Sequence, residues 1–128
     1  MNLLLDTCAF LWIAKNDANL SPAALEAFRC ADNAVFLSSV SAWEISIKWS
    51  MGKLALPYPP PQFIPRERKR HFINKLPFTE KDTFHLASLP LLHKDPFDRM
   101  LVCQAIENNM IILTSDQYIR QYPVQTLW

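Results

Sequence analysis

Glycine is scarce in this chain, and so are the features that mark several classes of protein. Only one of the 128 residues is glycine, and the three cysteines are an odd number without a Cys-x-x-Cys spacing. This pattern argues against a disulfide framework and against a cysteine-ligated zinc site. Cys8, Cys30 and Cys103 are therefore expected to be small buried side chains in a reducing compartment. The net charge of +1 excludes a polycation that would bind nucleic acid through its overall charge.

Long apolar runs are also missing. Asp6 separates the apolar residues 3–5 from the apolar residues 8–14, and no cationic segment precedes them. Neither run approaches the roughly 20 apolar residues that span a bilayer, and the start of the chain is a poor match to a signal peptide. A cytoplasmic protein with no membrane association is expected.

Half of the residues are hydrophobic, which is enough for a substantial core, and the length falls within the roughly 100–200 residues of one domain. Strands are predicted at residues 2–5, 34–37, 75–78, 110–113 and 124–127. Helices are predicted at residues 7–15, 22–31, 42–51, 66–70, 79–89, 96–109 and 116–122, with a proline-rich loop over residues 53–65. Short apolar strands that alternate with helices predict an α/β fold, with a mostly parallel central sheet covered on both faces.

Four acidic residues are expected to meet at one edge of that sheet. Asp6 directly follows the first strand, Asp116 follows the strand at 110–113, and Glu44 and Asp98 lie in the first turns of two helices. Ligands of open parallel sheets bind beyond the carboxyl ends of the strands, so the four carboxylates should converge there. Packed carboxylates repel one another unless a cation intervenes, and oxygen ligands favour Mg²⁺ or Mn²⁺ over zinc. Four carboxylates suit one metal ion or two.

Each acid also has a purely structural alternative. Asp6 could serve only as the N-cap of the first helix, and Asp116 as that of the last helix. Glu44 stands four residues before Lys48, which is the spacing of a helix ion pair. Residues 95–98 read Asp-Pro-Phe-Asp, which makes a sound helix start without any chemistry.

Four segments form an ordered set of motifs. They are Leu-Leu-Asp-Thr at 4–7, Ser-Ala-Trp-Glu-Ile-Ser-Ile-Lys at 41–48, His-Lys-Asp-Pro-Phe-Asp-Arg-Met-Leu-Val-Cys-Gln-Ala at 93–105 and Leu-Thr-Ser-Asp at 113–116. They resemble the successive motifs of PIN domains and, more narrowly, of the VapC-type toxins of bacterial toxin–antitoxin pairs. The resemblance implies a single PIN domain over residues 1–128 with a three-layer PIN-like fold. It further implies a Mg²⁺- or Mn²⁺-dependent endoribonuclease, commonly a homodimer, that a cognate antitoxin holds inactive.

The same resemblance implies roles for individual residues. The metal-binding and catalytic acids would be Asp6, Glu44, Asp98 and Asp116. Asp95 would be a helix cap, and Thr7 and Ser115 would contribute hydroxyl groups near the metal. The expected reaction is hydrolysis of RNA phosphodiester bonds by a metal-activated water that attacks phosphorus in line.

A local basic segment is the candidate for RNA binding. Residues 66–70 carry the cations Arg66, Arg68, Lys69 and Arg70 around a single acid. Together with Lys48 and Lys53 they could contact phosphates, in which case binding would weaken steeply with salt. A solvated helix face is an equally good interpretation. His71, His85 and His93 fall outside the four acidic positions and are expected to be structural or exposed, which disfavours a histidine-based mechanism.

The aromatic residues and the competing functions leave alternatives open. Phe10, Trp12, Trp43 and Trp49 lie on the early helices, where some could form an apolar patch for a dimer partner or an antitoxin. The alternative, which is favoured for any single one of them, is that they fill the core. A non-catalytic α/β binding module, with the acids as caps and surface charges, is the main competing function. A Mg²⁺-dependent phosphoacceptor domain would need an aspartate at the end of a middle strand, where residues 37–39 read Leu-Ser-Ser.

Overall fold

Five short strands form the central sheet of the protein, whose computed structural model describes all 128 residues. The strands are β1 (Asn2–Leu5), β2 (Ala34–Ser38), β3 (Asn74–Leu76), β4 (Ile111–Leu113) and β5 (Thr126–Leu127). Their order in the sheet is β3-β2-β1-β4-β5, and every pairing is parallel. The predicted parallel sheet is confirmed, with β1 in its centre and Leu5 level with both Leu37 and Leu113.

Helices connect the strands. They are α1 (Thr7–Lys15), α2 (Pro22–Arg29), α3 (Ser39–Ser50), α4 (Pro60–Arg70), α5 (Glu80–Phe84) and α6 (Pro96–Glu107), with 3₁₀ turns at His85–Ser88 and Ile119–Gln121. The longest of them have 12 residues, and none has the length and apolar character that a crossing of a bilayer demands.

Two hydrophobic cores lie on the two faces of the sheet. Since successive side chains of a strand point to opposite faces, Leu3 and Leu5 join one core and Leu4 joins the other. The first core is completed by α1, α2 and α4, with Phe10 and Phe63 in edge-to-face contact at 6.2 Å. The second is built mainly on α6. Helices therefore cover both faces, and the predicted three-layer arrangement is confirmed.

The prediction of a loop over residues 53–65 is wrong in its last part, because α4 begins at Pro60. Pro60 and Pro61 occupy the first turn, where a backbone N–H has no partner within the helix and proline is tolerated. Pro65 lies inside the helix, where it removes one hydrogen bond. The burial of Phe63 and Ile64 holds this segment against the sheet despite that loss.

The expectation of three buried cysteines is wrong for two of them. Cys103 is buried, whereas Cys8 and Cys30 are exposed. Cys8 lies on α1 between the buried residues Thr7 and Ala9, and Cys30 is the C-cap of α2. Apolar neighbours in the sequence do not determine which face of a helix a side chain occupies, and that is why the prediction failed.

The aromatic residues divide between core and surface. Phe10 is fully buried, whereas Trp43 is 65% exposed and Trp49 is 39% exposed. Trp12 packs against Trp128 with ring centroids 5.5 Å apart, so the last residue of the chain helps to cover α1. Trp43 also lines an apolar cleft of about 330 Å³ together with Phe97 and Met100.

Candidate metal centre

The four predicted acids lie at the carboxyl edge of the sheet. Asp6 follows the last residue of β1, and Asp116 lies three residues after the end of the adjacent strand β4. Glu44 lies in the second turn of α3, which begins directly after β2, and Asp98 lies in the first turn of α6. Glu44 is one turn further along its helix than predicted because Ser38 caps α3 three residues earlier than the sequence indicates.

Asp6 is buried, and each of its carboxylate oxygens accepts one hydrogen bond. Its Oδ1 accepts a hydrogen bond of 2.7 Å from the backbone N–H of Ala9, so Asp6 is also the N-cap of α1. Its Oδ2 accepts one from the hydroxyl of Thr114, whose oxygen in turn accepts the backbone N–H of Asp116 at 3.0 Å. Thr114 thus links two acids and was missed by the sequence reasoning. Ser115, the predicted hydroxyl, is exposed and makes no hydrogen bond to the four acids.

Glu44 is buried between a hydroxyl and an ammonium group. Its Oε1 accepts a hydrogen bond of 2.7 Å from the hydroxyl of Thr7, one of the two predicted supporting residues. Its Oε2 lies 2.5 Å from Nζ of Lys48, so the helix ion pair is also present. The hydrogen bond to Glu44 raises the pKa of Lys48, which keeps a full positive charge beside this carboxylate.

Asp98 contacts His93, a residue that the sequence analysis expected to be structural or exposed. Nε2 of His93 lies 3.0 Å from Oδ2 of Asp98. Asp95 acts as the predicted cap, since its Oδ1 accepts the backbone N–H groups of Phe97 at 2.9 Å and of Asp98 at 3.2 Å. The contact between His93 and Asp98 was not predicted from the sequence, because it depends on how the loop before α6 folds.

Asp116 also has a local structural role. Its Oδ1 accepts the backbone N–H groups of Tyr118 at 2.8 Å and Ile119 at 3.0 Å. The prediction of a helix at residues 116–122, with Asp116 as its cap, is wrong: only a 3₁₀ turn forms there, at Ile119–Gln121, and the side chain of Asp116 bonds the residues that lead into it. Oδ2 of Asp116 accepts no hydrogen bond from the protein, and neither does Oδ1 of Asp98. These two oxygens are therefore free to bind a ligand.

The electrostatics of the site show that the acids influence one another. Burial raises the pKa of Asp6 from 3.8 to about 6, against the lowering effect of its bonds from Thr114 and Ala9. The charges of Asp116 and Glu44 raise it further. Burial likewise raises the pKa of Asp98 to about 6, with the charges of Asp95 and Asp116 adding to it and the bond from His93 opposing it. A cation at this edge would favour the ionised forms of Asp6 and Asp98 and would so lower both pKa values.

The chemistry of the donor set fits a hard divalent cation, although the side chains are not drawn together into a finished cage. All four donors are carboxylates, two of them keep a free oxygen, and such ligands suit Mg²⁺ or Mn²⁺. No three histidine, cysteine, aspartate or glutamate side chains are gathered closely enough to hold an ion. A cation bound by three of the acids would therefore have to turn their carboxylates towards a common point.

The predicted basic segment lies away from the acids. Arg70, at the end of α4, lines a cleft with Asn33 and Val35 at the start of β2. This places the end of the helix at the opposite edge of the parallel sheet from the acids. Arg66 stacks over the ring of Tyr58 at 4.8 Å. Of the predicted RNA-binding residues, only Lys48 contacts one of the four acids of the site.

Comparisons with known proteins agree with this architecture. A search of curated proteins found no match. Among solved structures, this chain is similar to VapBC2 from Rickettsia felis, which was solved bound to a DNA fragment from the VapBC2 promoter. The TM-score is 0.73 at 20% identity, and the alignment covers 100% of this chain and 99% of that one. VapBC-1 from nontypeable Haemophilus influenzae has a TM-score of 0.67 and 20% identity, with 99% and 97% covered. FitAcB from Neisseria gonorrhoeae has a TM-score of 0.62 and 17% identity, with 98% and 96% covered.

The TM-scores and the nearly complete coverage show that these proteins share the fold of this chain, and the predicted PIN-like fold is thereby confirmed. The profile of the PIN domain family matches residues 3–125. That match spans β1 to the residue before β5 and includes all four acids. The chain belongs to the PIN domain family.

Proposed function

We propose that this protein is a divalent-metal-dependent endoribonuclease that hydrolyses RNA phosphodiester bonds and acts as the toxin of a toxin–antitoxin pair. PIN domains are generally nucleases, and this chain belongs to that family. The observation that carries the proposal is the position of Asp6, Glu44, Asp98 and Asp116 at the ligand-binding edge of the sheet. The raised pKa values of Asp6 and Asp98 add to it, since neighbouring carboxylates are among their causes.

The proposed cation is Mg²⁺ or Mn²⁺, held by those four acids. When bound, such a cation supplies Lewis-acid stabilisation of the charge that develops on a phosphoryl group. The residues around the acids have supporting roles. Thr114 donates a hydrogen bond to Asp6 and Thr7 donates one to Glu44, so that each of these buried carboxylates has a hydroxyl donor beside it. Lys48 brings a positive charge that could meet a phosphate of the substrate.

The biological role rests on the sequence resemblance to VapC-type toxins and on the fold shared with the VapBC structures. A cognate antitoxin would then bind this chain and hold it inactive in the cytoplasm, and the active protein would be a homodimer of one PIN domain per chain. Expression of the wild type should arrest growth, whereas expression of Asp98→Asn should not. Growth arrest by both proteins would contradict a role for the acids in toxicity.

Cleavage of RNA by the purified protein tests the enzymatic part. Total RNA and transfer RNA are incubated with Mg²⁺, Mn²⁺ or EDTA, using the wild type, Asp98→Asn and Asp32→Asn. Asp32 is exposed and lies on a turn at the other end of the sheet, so its variant controls for the loss of one negative charge. The wild type and Asp32→Asn are expected to cut RNA with Mg²⁺ or Mn²⁺ and not with EDTA. Asp98→Asn is expected not to cut under any of these conditions. Full cutting by Asp98→Asn would overturn the site.

A non-catalytic binding module is the second candidate, and one observation favours it. Asp6 caps α1, Asp116 caps the turn that follows it, and Glu44 pairs with Lys48, so each of these acids has a structural role without any chemistry. This candidate predicts no Mn²⁺ binding in a calorimetric titration. Binding that is lost in Asp6→Asn would exclude it.

A further inference from the structure

Asp98 is the end of a chain of hydrogen bonds that begins outside the acidic site. Nη1 of Arg99 lies 3.0 Å from the hydroxyl oxygen of Tyr122 and 2.8 Å from the backbone carbonyl of Pro90. The same hydroxyl lies 2.8 Å from Nδ1 of His93, and Nε2 of His93 lies 3.0 Å from Oδ2 of Asp98. Tyr122 is buried, which shields the middle of this series of hydrogen bonds from water.

The positions of the protons in this series of hydrogen bonds follow from the number of donors and acceptors. A tyrosine hydroxyl has one proton to donate and two lone pairs that accept. Two N–H donors approach it, the guanidinium of Arg99 at 3.0 Å and the backbone N–H of His93 at 3.3 Å. Neither donor can accept a proton, so the hydroxyl proton of Tyr122 goes to Nδ1 of His93. A neutral His93 then carries its own proton on Nε2 and donates it to Asp98.

Two aromatic rings hold the imidazole plane. Tyr118 stacks on His93 with centroids 5.1 Å apart and an angle of 11° between the planes, and Tyr122 packs on it at 5.5 Å. The backbone N–H of Tyr118 also donates to Asp116, so the segment that places this ring is the one that binds the fourth acid. The orientation of His93 is therefore coupled to two of the acids.

We infer that His93, held by Tyr122 as the Nε2–H tautomer, is a positioning residue that binds one oxygen of Asp98 and leaves the other free for a divalent cation. This inference rests on the proposed function. His93 would act through Asp98 without touching the substrate. Groups that orient a ligand carboxylate in this way typically change metal affinity by about 10–100-fold when they are removed.

The first measurement is the tautomer of His93 in the metal-free protein, by long-range ¹H–¹⁵N NMR at about pH 8, where an ordinary imidazole is neutral. The wild type is expected to show the Nε2–H form. Tyr122→Phe removes the donor to Nδ1 and should lose that preference while the protein stays folded. A wild type with the proton on Nδ1 would overturn the inference, whatever the protein does to RNA.

The second measurement is Mn²⁺ affinity by calorimetry. His93→Leu should bind Mn²⁺ about 10–100-fold more weakly than the wild type, and His93→Gln, whose amide N–H can replace the Nε2–H donor, should recover most of the loss. His85→Leu is the matched control, because Nε2 of His85 lies 2.9 Å from a carboxylate oxygen of Glu107, which is not one of the four acids. The His85→Leu variant should bind Mn²⁺ like the wild type.

The outcomes separate the two proposals. Unchanged Mn²⁺ affinity in His93→Leu, or no recovery in a folded His93→Gln, would overturn the positioning role and leave the proposed nuclease standing. A wild type that binds no Mn²⁺ and cuts no RNA would overturn the proposed function, and the role of His93 towards a cation with it.

Discussion

The hydroxyl of Thr7 donates a hydrogen bond of 2.7 Å to Oε1 of Glu44, across 37 positions of the sequence. Thr7 is the first residue of α1, directly after Asp6, and Glu44 lies on α3. The bond therefore ties the segment that carries one acid to the helix that carries another. Ser41 supports it, with its hydroxyl oxygen 3.0 Å from that of Thr7.

Replacing Thr7 by valine should destabilise the protein. The variant keeps the shape of the side chain but leaves one oxygen of the buried Glu44 without its donor, which costs about 1–3 kcal/mol. Denaturant unfolding measures the loss. Thr83→Val is a control at an exposed hydroxyl that only bonds its own helix, and it should stay within about 0.5 kcal/mol. Equal stability of both variants would contradict the structural role of the Thr7–Glu44 bond.

The raised pKa values of Asp6 and Asp98 predict a pH dependence of stability. Each carboxyl has a pKa of about 6 in the folded protein against 3.8 ordinarily, so the folded state binds more protons between those values. Their contribution to the free energy of unfolding is complete below about pH 4 and is lost as the pH rises through 6.

Thermal or denaturant unfolding of the wild type and of Asp98→Asn across that pH range isolates the contribution of one acid. The variant cannot ionise at this position and should gain stability relative to the wild type as the pH rises. Saturating Mn²⁺ should stabilise the wild type more than the variant. A stability difference that does not change with pH would show that Asp98 has an ordinary pKa.

Removing the charge of Lys48 should strengthen cation binding. The ammonium group lies 2.5 Å from Oε2 of Glu44, so it competes with a metal ion for that oxygen and repels it. Lys48→Met should tighten Mn²⁺ binding in calorimetry, because it removes both the competition for this oxygen and the repulsion between the two cations. Lys53→Met removes an equivalent charge outside the pair and should have no effect. Weaker Mn²⁺ binding by Lys48→Met would mean that the ammonium group orients Glu44 for the metal.

The basic end of α4 predicts a separation between RNA binding and metal binding. Arg68 and Lys69 lie on the last turn of the helix, whose end reaches the opposite edge of the sheet from the acids. Their replacement by glutamine should lower RNA affinity and reduce its salt dependence by about 0.7 per lost contact on a single strand. Mn²⁺ affinity should not change. An unaltered salt slope would identify this segment as a solvated helix face.

Local patterns were sufficient to place the acids at the carboxyl edge of the sheet, because each one follows a strand or lies near the start of a helix, although Glu44 is one turn further along α3 than predicted. The apolar run at residues 2–5 ends at Asp6, and Pro96 after Asp95 marks the start of α6. In a parallel sheet these local features determine which edge the residues occupy. The sheet, its direction and the four positions could therefore be predicted without any knowledge of long-range contacts.

The hydrogen bonds around the acids could not be predicted in the same way. Thr114 reaches Asp6 across 108 positions, and Tyr122 reaches His93 across 29, so both contacts depend on the final packing. Thr114 did carry a signal, since it is the residue that directly follows β4 at the edge where Asp6 follows β1. The start of α4 was missed for a different reason, because prolines in a first helical turn resemble those of a loop.

The central claim is that the four acids together bind a divalent cation, and anomalous diffraction from crystals soaked in Mn²⁺ tests it most directly. The account predicts a peak at the carboxyl edge of the sheet, within about 2.0–2.4 Å of oxygens from at least three of the four acids. Asp6, Glu44, Asp98 and Asp116 should then have turned towards that point. No peak at this edge under saturating Mn²⁺, or a peak bound only by other residues, would contradict the claim.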